Sequence, residues 1–308
     1  MSSLRQWFHA LPSNVKGALI LILAAFGFSL MVALIKLVGS RLPVTQVLLI
    51  RQSVMVAMLL PAFMKGAPGL LKTTRPDLQL LRVSLALVAM LCGFTAIINL
   101  PLADATALGF VKSFFVTIFA VIVLKETVGV HRWAAVCVGF LGVMFMAQPG
   151  TASFSLYGLL AIIGSAAAGC VMVVIRILNR TESTNTILVY QALGVGVVMI
   201  FPAFVFWVAP TPGEWLLLLG IGVVSFFAQK LNILAYRFGE ASVLASLDYV
   251  RLLYATVFGA LLFAQWPSKE TLAGAFIIVL ASLYTVHREA RRKQVLVSAP
   301  ESRPNQNH

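Results

Sequence analysis

Ten runs of some twenty apolar residues, separated only by short polar segments, leave this chain one solvent in which it can fold. They fall at about 15–38, 44–63, 78–98, 101–124 and 133–147, then at about 156–178, 186–209, 214–236, 240–263 and 270–287. A bilayer core of roughly 30 Å takes about 20 residues per helix, and lipid offers backbone groups no partner, so runs of this length read as membrane-crossing helices. Hydrophobic residues make up 60% of the 308 and charged ones 11%. A soluble domain carries about 25% charged residues. The expected fold class is therefore an all-α integral membrane protein, one membrane domain over 1–308.

The net charge of +13 does not point to nucleic acid, because the basic residues cluster at span ends, where they meet anionic headgroups. Lys16, Lys65, Lys72, Arg75, Lys125, Arg132, Arg176, Arg180, Arg237 and the 288–293 cluster fall on one side, against Lys36, Arg41 and Lys269 on the other. Both termini are expected in the cytoplasm. Residues 288–308 read as a disordered basic tail. The first run is too long for a signal-peptide core, so it counts as a span. Cys92, Cys137 and Cys170 lie within apolar runs and imply neither disulfide nor metal.

The two sets of five runs are repeats, one over about 15–148 and one over about 156–287. Ile35-Lys36-Leu37 matches Ile175-Arg176-Ile177, and Val47-Leu48-Leu49-Ile50 matches Ile187-Leu188-Val189-Tyr190, each 140 positions on. Asp104-Ala105-Thr106-Ala107-Leu108 matches Glu240-Ala241-Ser242-Val243-Leu244, 136 positions on. Ala25-x-x-x-Ser29 and Ser165-x-x-x-Gly169 are small-xxx-small patterns that allow close helix approach. Five spans per repeat is odd, so the second half must be inverted relative to the first. That architecture places a solute site near the midplane between the halves.

Pro101-Leu-Ala-Asp-Ala-Thr-Ala-Leu108 opening the fourth span, the Lys125-Glu126 that closes it, and a second copy from Gly239 to Leu244 that leads to Asp248-Tyr249-Val250-Arg251-Leu252 resemble the drug/metabolite transporter superfamily, in particular its ten-helix EamA-like family. The resemblance covers about residues 15–287. It implies two inverted five-helix repeats and secondary transport, and it looks most similar to bacterial amino-acid exporters, aromatic ones included. Two positions depart from the family pattern: Ser113 stands where proline is common, and Gln265 where glutamate is common.

An ionisable residue in mid-span costs about 2.5–3.5 kcal/mol on insertion scales, so each deep charge needs a reason. Lys112 lies in the middle of the fourth span, and Asp248 and Arg251 near the middle of the ninth. Arg51 and Lys230 are closer to span ends and within snorkelling reach. Asp248 and Arg251, spaced i,i+3, either neutralise each other or serve a site. Lys112 either pairs with Asp248 across the halves, faces a hydrated cavity, or is held neutral by burial. Tyr249, Gln229, Asn232 and Asn99 are further candidates for the wall of a small-molecule site. The deep charges sum to a positive balance, which suits a solute with a carboxylate, while Asp248 would receive an ammonium group. An amino acid fits both.

Enzyme chemistry lacks a constellation: His9, His131, His287 and His308 lie outside the spans, and no H-E-x-x-H, G-x-S-x-G or P-loop occurs. No cofactor or metal is expected, and a channel filter is not visible. The reading is a secondary transporter, exporter or facilitator of amino acids or another anionic metabolite, multi-pass in a bacterial inner membrane, oligomeric state open.

Overall fold

The computed structural model of the chain describes residues 13–125, 130–147, 155–178, 180–238, 250–277, 279–280 and 284, and among them regular structure is helical throughout. In chain order the helices are α1 (Ser13–Gly39), α2 (Val44–Leu70), α3 (Pro76–Asn99), α4 (Leu102–Gly109), α5 (Lys112–Leu124), α6 (Val130–Ala147), α7 (Leu156–Leu178), α8 (Thr184–Val205), α9 (Pro212–Phe238) and α10 (Val250–Phe263). A further helical stretch follows at 269–277. Seven segments among the described residues are long and apolar enough to cross a membrane, α4 and α5 counting as one.

The helix ends follow local chemistry. Pro76 opens α3, where its missing N–H is no loss. Ser183 caps α8 by accepting from the Thr186 N–H at 3.1 Å. Thr211 and Glu214 bond reciprocally at the start of α9 as a capping box, with Thr211 N to Glu214 Oε2 at 2.7 Å and Glu214 N to Thr211 Oγ1 at 3.3 Å.

Inversion of the halves is visible in the packing. α1 lies along α9 while α3 lies along α7, and α2 pairs with α8. α10 packs on α1 as α5 packs on α7, and α9 on α2 as α3 on α8. Exchanging the halves maps each of these contacts onto another, and the α2–α8 pair onto itself. The loop after α1 meets the start of α9, where Arg41 Nε donates to Glu214 Oε1 at 2.6 Å. The loop before α3 meets the loop after α7, where Glu182 Oε1 accepts from the Thr74 N–H at 2.7 Å and the Thr73 hydroxyl at 2.8 Å. α1 thus runs toward the Arg41 face and α7 toward the opposite one.

Glycines carry the same symmetry. Val83 of α3 presses on Gly194 of α8, and Val54 of α2 on Gly222 of α9. Positions 54 and 194 are 140 apart and 83 and 222 are 139 apart, so the two contacts are one contact with the roles exchanged. Both glycines are packing points. A Cβ at Gly222 would fall on Val54 Cβ, well inside van der Waals contact. Gly222→Ala is expected to cost about 1–3 kcal/mol, read as a fall in Tm in detergent. Val54→Ala in the same chain should restore most of it.

The Glu182 latch is set for neutral pH. Partial burial pushes its carboxyl up, but the Thr74 N–H, the Thr73 and Thr74 hydroxyls and the Arg75 N–H hold it net below its ordinary 4.5. A lowered carboxyl contributes stability above the ordinary value and loses it as pH falls through the folded one. The Tm deficit of Glu182→Gln should therefore be constant from about pH 6 to 8 and shrink only below about 4.5.

Candidate solute-binding site

The fourth crossing is the departure from the sequence reading. It is broken: α4 ends at Gly109 and α5 begins at Lys112, with Phe110 and Val111 in a tight turn between them. The Phe110 and Val111 N–H groups reach back three residues, to Ala107 and Leu108 carbonyls at 3.1 and 3.2 Å. Leu108 O also accepts from Ser165 Oγ of α7 at 3.0 Å. On the facing helix pair, Ser29 Oγ of α1 donates to Arg251 O of α10 at 3.4 Å. The small-xxx-small serines of both halves therefore hold carbonyls of the helices that line the centre. Gly169 serves the same approach: a Cβ there would stand 3.0 Å from Lys112 O.

A cavity of about 200 Å³ opens beside the break. Lys112 and Arg251 both line it, with Ser29, Thr106, Gly109 and the ring of Phe28. The Arg251 guanidinium lies 4.3 Å from the Phe28 ring centre, a cation–π contact. Nothing lies within 4 Å of where a Gly109 Cβ would be, so this residue leaves the cavity wall open. A larger hollow of about 350 Å³ between α5 and α6 is lined by apolar residues and Cys137 and has no polar lining surface. It offers a solute nothing to orient on.

The structure thus brings Lys112 and Arg251 together on one cavity, one from each half. Lys112 is not the mid-helix residue of the sequence reading but the first residue of a half-helix. Asp248 and Tyr249 lie outside the described residues, as does the second copy of the repeat phrase from Gly239 to Leu244. Gln229 and Asn232 are half-buried on α9 and do not line the cavity. Asn99 is exposed at the end of α3 and donates to its own helix, Nδ2 to Thr95 O at 2.8 Å. Lys230 is exposed, 5.9 Å from the Phe226 ring centre.

Three charges take other places than their depth suggested. Arg51 does not snorkel: it is buried at 3% exposure, its Nε donating to Ser225 Oγ at 2.9 Å. Arg82 on α3 is buried at 2% and was not singled out in the sequence. Lys36, counted as a loop charge, is buried and donates to the Ile97, Ile98 and Leu100 carbonyls. Beside it, Asp104 Oδ1 accepts from Thr271 Oγ1 at 2.7 Å.

Comparison with known proteins agrees with this architecture. The sequence model of the EamA-like transporter family matches residues 15–148 and 155–286, one match per repeat. The chain is 30% identical over 271 residues to the pseudopaline exporter CntI of Pseudomonas aeruginosa, covering 87% of this chain and 94% of the relative. It is 28% identical to an S-adenosylmethionine uptake transporter of Rickettsia prowazekii, covering 92% and 96%. It is 29% identical to a riboflavin transporter of Vibrio cholerae, covering 91% and 96%. A solved crystal structure at 17% identity superposes with a TM-score of 0.63, covering 90% of this chain and 97% of its own, and shares the fold.

Proposed function

This chain belongs to the EamA-like transporter family, and on that premise we propose that its central cavity carries small organic solutes bearing a carboxylate, amino acids among them, by alternating access. That it is a multi-pass membrane transporter of small molecules follows from the family. The solute class does not, because the relatives are named for three different solutes.

The observation that carries the proposal is Lys112 and Arg251 facing one cavity from opposite halves. Two cations in a low-dielectric pocket favour an anionic group, and each charge-assisted hydrogen bond contributes about 1.5–3 kcal/mol. The Phe28 ring behind Arg251 gives an apolar or aromatic side chain a flat surface. At about 200 Å³ the cavity is below the 300–1,000 Å³ of drug-sized pockets, so in this conformation it suits a small solute. The basic loops favour both termini in the cytoplasm, and our reading of the direction of transport is exporter or facilitator.

Solute counterflow into proteoliposomes tests this, using one labelled amino acid against a panel of amino acids, dicarboxylates, sugars, nucleosides and cationic dyes. Competition by carboxylate-bearing solutes is expected. Competition by cationic dyes alone would overturn the reading. A pH gradient across the same vesicles separates coupled export from facilitation.

A further inference from the structure

Away from the cavity, one polar cluster runs through the interface between α2, α3, α8 and α9. Arg51 Nη1 donates to Gln52 Oε1 at 2.7 Å, and Gln52 Nε2 to Gln191 O at 3.3 Å. On the other side of Gln191, Arg82 Nη2 donates to its Oε1 at 2.5 Å, and Arg82 Nη1 to Ile187 O at 2.8 Å. With the Arg51–Ser225 bond this makes a continuous chain of buried groups containing two guanidiniums. Every acceptor in it is neutral.

The carboxylates among the described residues are all engaged elsewhere. Asp77 pairs with Arg75, Glu214 with Arg41, Asp104 with Thr271, Glu182 with Thr73 and Thr74, and Glu270 with Ser268. A guanidinium does not shed its proton, so both charges persist when buried. A buried charge without a counter-charge costs several kcal/mol even after relaxation, and neutral acceptors offset only part of that.

A second observation locates where a counter-charge would sit. Arg82 Nε and both polar atoms of the Gln79 amide are buried without a hydrogen-bond partner. Gln79 is 1% exposed and stands one helical turn before Arg82, on the same face of α3. Spare N–H donors from an arginine and an amide therefore stand one turn apart on one helix face, in a cluster that carries two positive charges. The Gln79 oxygen is the one acceptor in the group, and a half-turn of the amide decides which end faces inward.

We propose that this cluster is a binding site for a small monovalent anion of the halide class, held by Arg82 Nε and Gln79 Nε2 in the field of both guanidiniums. Size follows from burial: Gln79 is 1% exposed and Arg82 2%, so between these side chains the site suits a single-atom anion and not an organic acid. The site is separate from the solute cavity, since none of Arg51, Gln52, Gln79, Arg82 and Gln191 lines it. A water molecule would satisfy the same donors without neutralising the charge, and the experiment distinguishes the two. The anion's place, where α3 and α8 cross, makes it a fixture of the helix core rather than a cargo.

The test needs no transport assay and so stands or falls apart from the solute proposal. The full-length protein in detergent is heated in sodium chloride, bromide or gluconate at one ionic strength, with tryptophan fluorescence as the readout. Chloride and bromide are expected to raise Tm saturably, by about 5 °C over gluconate at about 100 times Kd. Arg82→Gln should lose that increment. Because this variant may not fold, Gln79→Leu, which removes a donor but no charge, carries the same expectation. Equal Tm in all three salts overturns the proposal. So does an increment that survives in Gln79→Leu, since the halide would then act elsewhere on this basic chain.

Discussion

Replacing Lys112 by alanine is expected to reduce counterflow of a carboxylate-bearing solute about 10–100-fold while leaving the protein folded. The size follows from losing one charge-assisted hydrogen bond of about 1.5–3 kcal/mol. Folding should survive because the Lys112 backbone, not its side chain, makes the close approach to Gly169. Lys112→Arg should keep part of the activity, since charge is kept and only reach and shape change. A neutral solute of similar size, if carried at all, should be affected far less. Equal loss for charged and neutral solutes would assign Lys112 a structural part in the helix break, and unchanged transport of every carboxylate would remove it from the site. Arg251 is a weaker test, because its guanidinium also packs on Phe28 and its loss disturbs the wall as well as the charge.

Fold and inversion were legible because they rest on repeated apolar runs and matched phrases, which lipid and backbone hydrogen bonding translate directly into helices. The pairing of Val54 with Gly222 and of Val83 with Gly194 is the repeat offset, 140 and 139 residues, written in packing. The break between α4 and α5 was not legible. No proline marks it, and a single glycine at 109 among apolar residues reads as continuous helix. Its cause is tertiary: Ser165 takes the Leu108 carbonyl, and a helix in lipid tolerates interruption where a neighbour satisfies the freed groups. Depth along a helix singled out Lys112 and Arg251, which line one cavity, but misjudged Arg51 and missed Arg82. Arg51 is the eighth residue of its helix and Arg82 the seventh, each near enough to an end to snorkel outward. Which way such a side chain turns depends on Gln191 and Ser225 of the other half, and no local pattern encodes that.

Lys36 shows the same effect at a helix end, and its replacement by methionine is expected to be among the most destabilising single changes in the chain. The last carbonyls of α3 have no intrahelical partner, as at any helix end. Ile97 O would ordinarily accept from the residue four on, but that residue is Pro101, which has no N–H. Lys36 Nζ supplies the missing donor to Ile97 O at 3.1 Å and serves Ile98 and Leu100 as well, while its charge complements the negative end of the helix dipole. It also stands 5.5 Å from the ring centre of Phe263, the last residue of α10, so one side chain ties α1, α3 and α10 together. Methionine keeps the volume and removes the donor. Leaving a buried carbonyl unsatisfied costs about 1–3 kcal/mol, and Lys36 serves three part-buried ones, so a loss of about 3 kcal/mol is expected. The measurement is the midpoint of unfolding in detergent, wild type against Lys36→Met and Lys36→Arg. Arginine should recover much of the loss, since it brings donors and charge to the same carbonyls. If methionine unfolds at the wild-type midpoint, the end of α3 is satisfied by something other than Lys36.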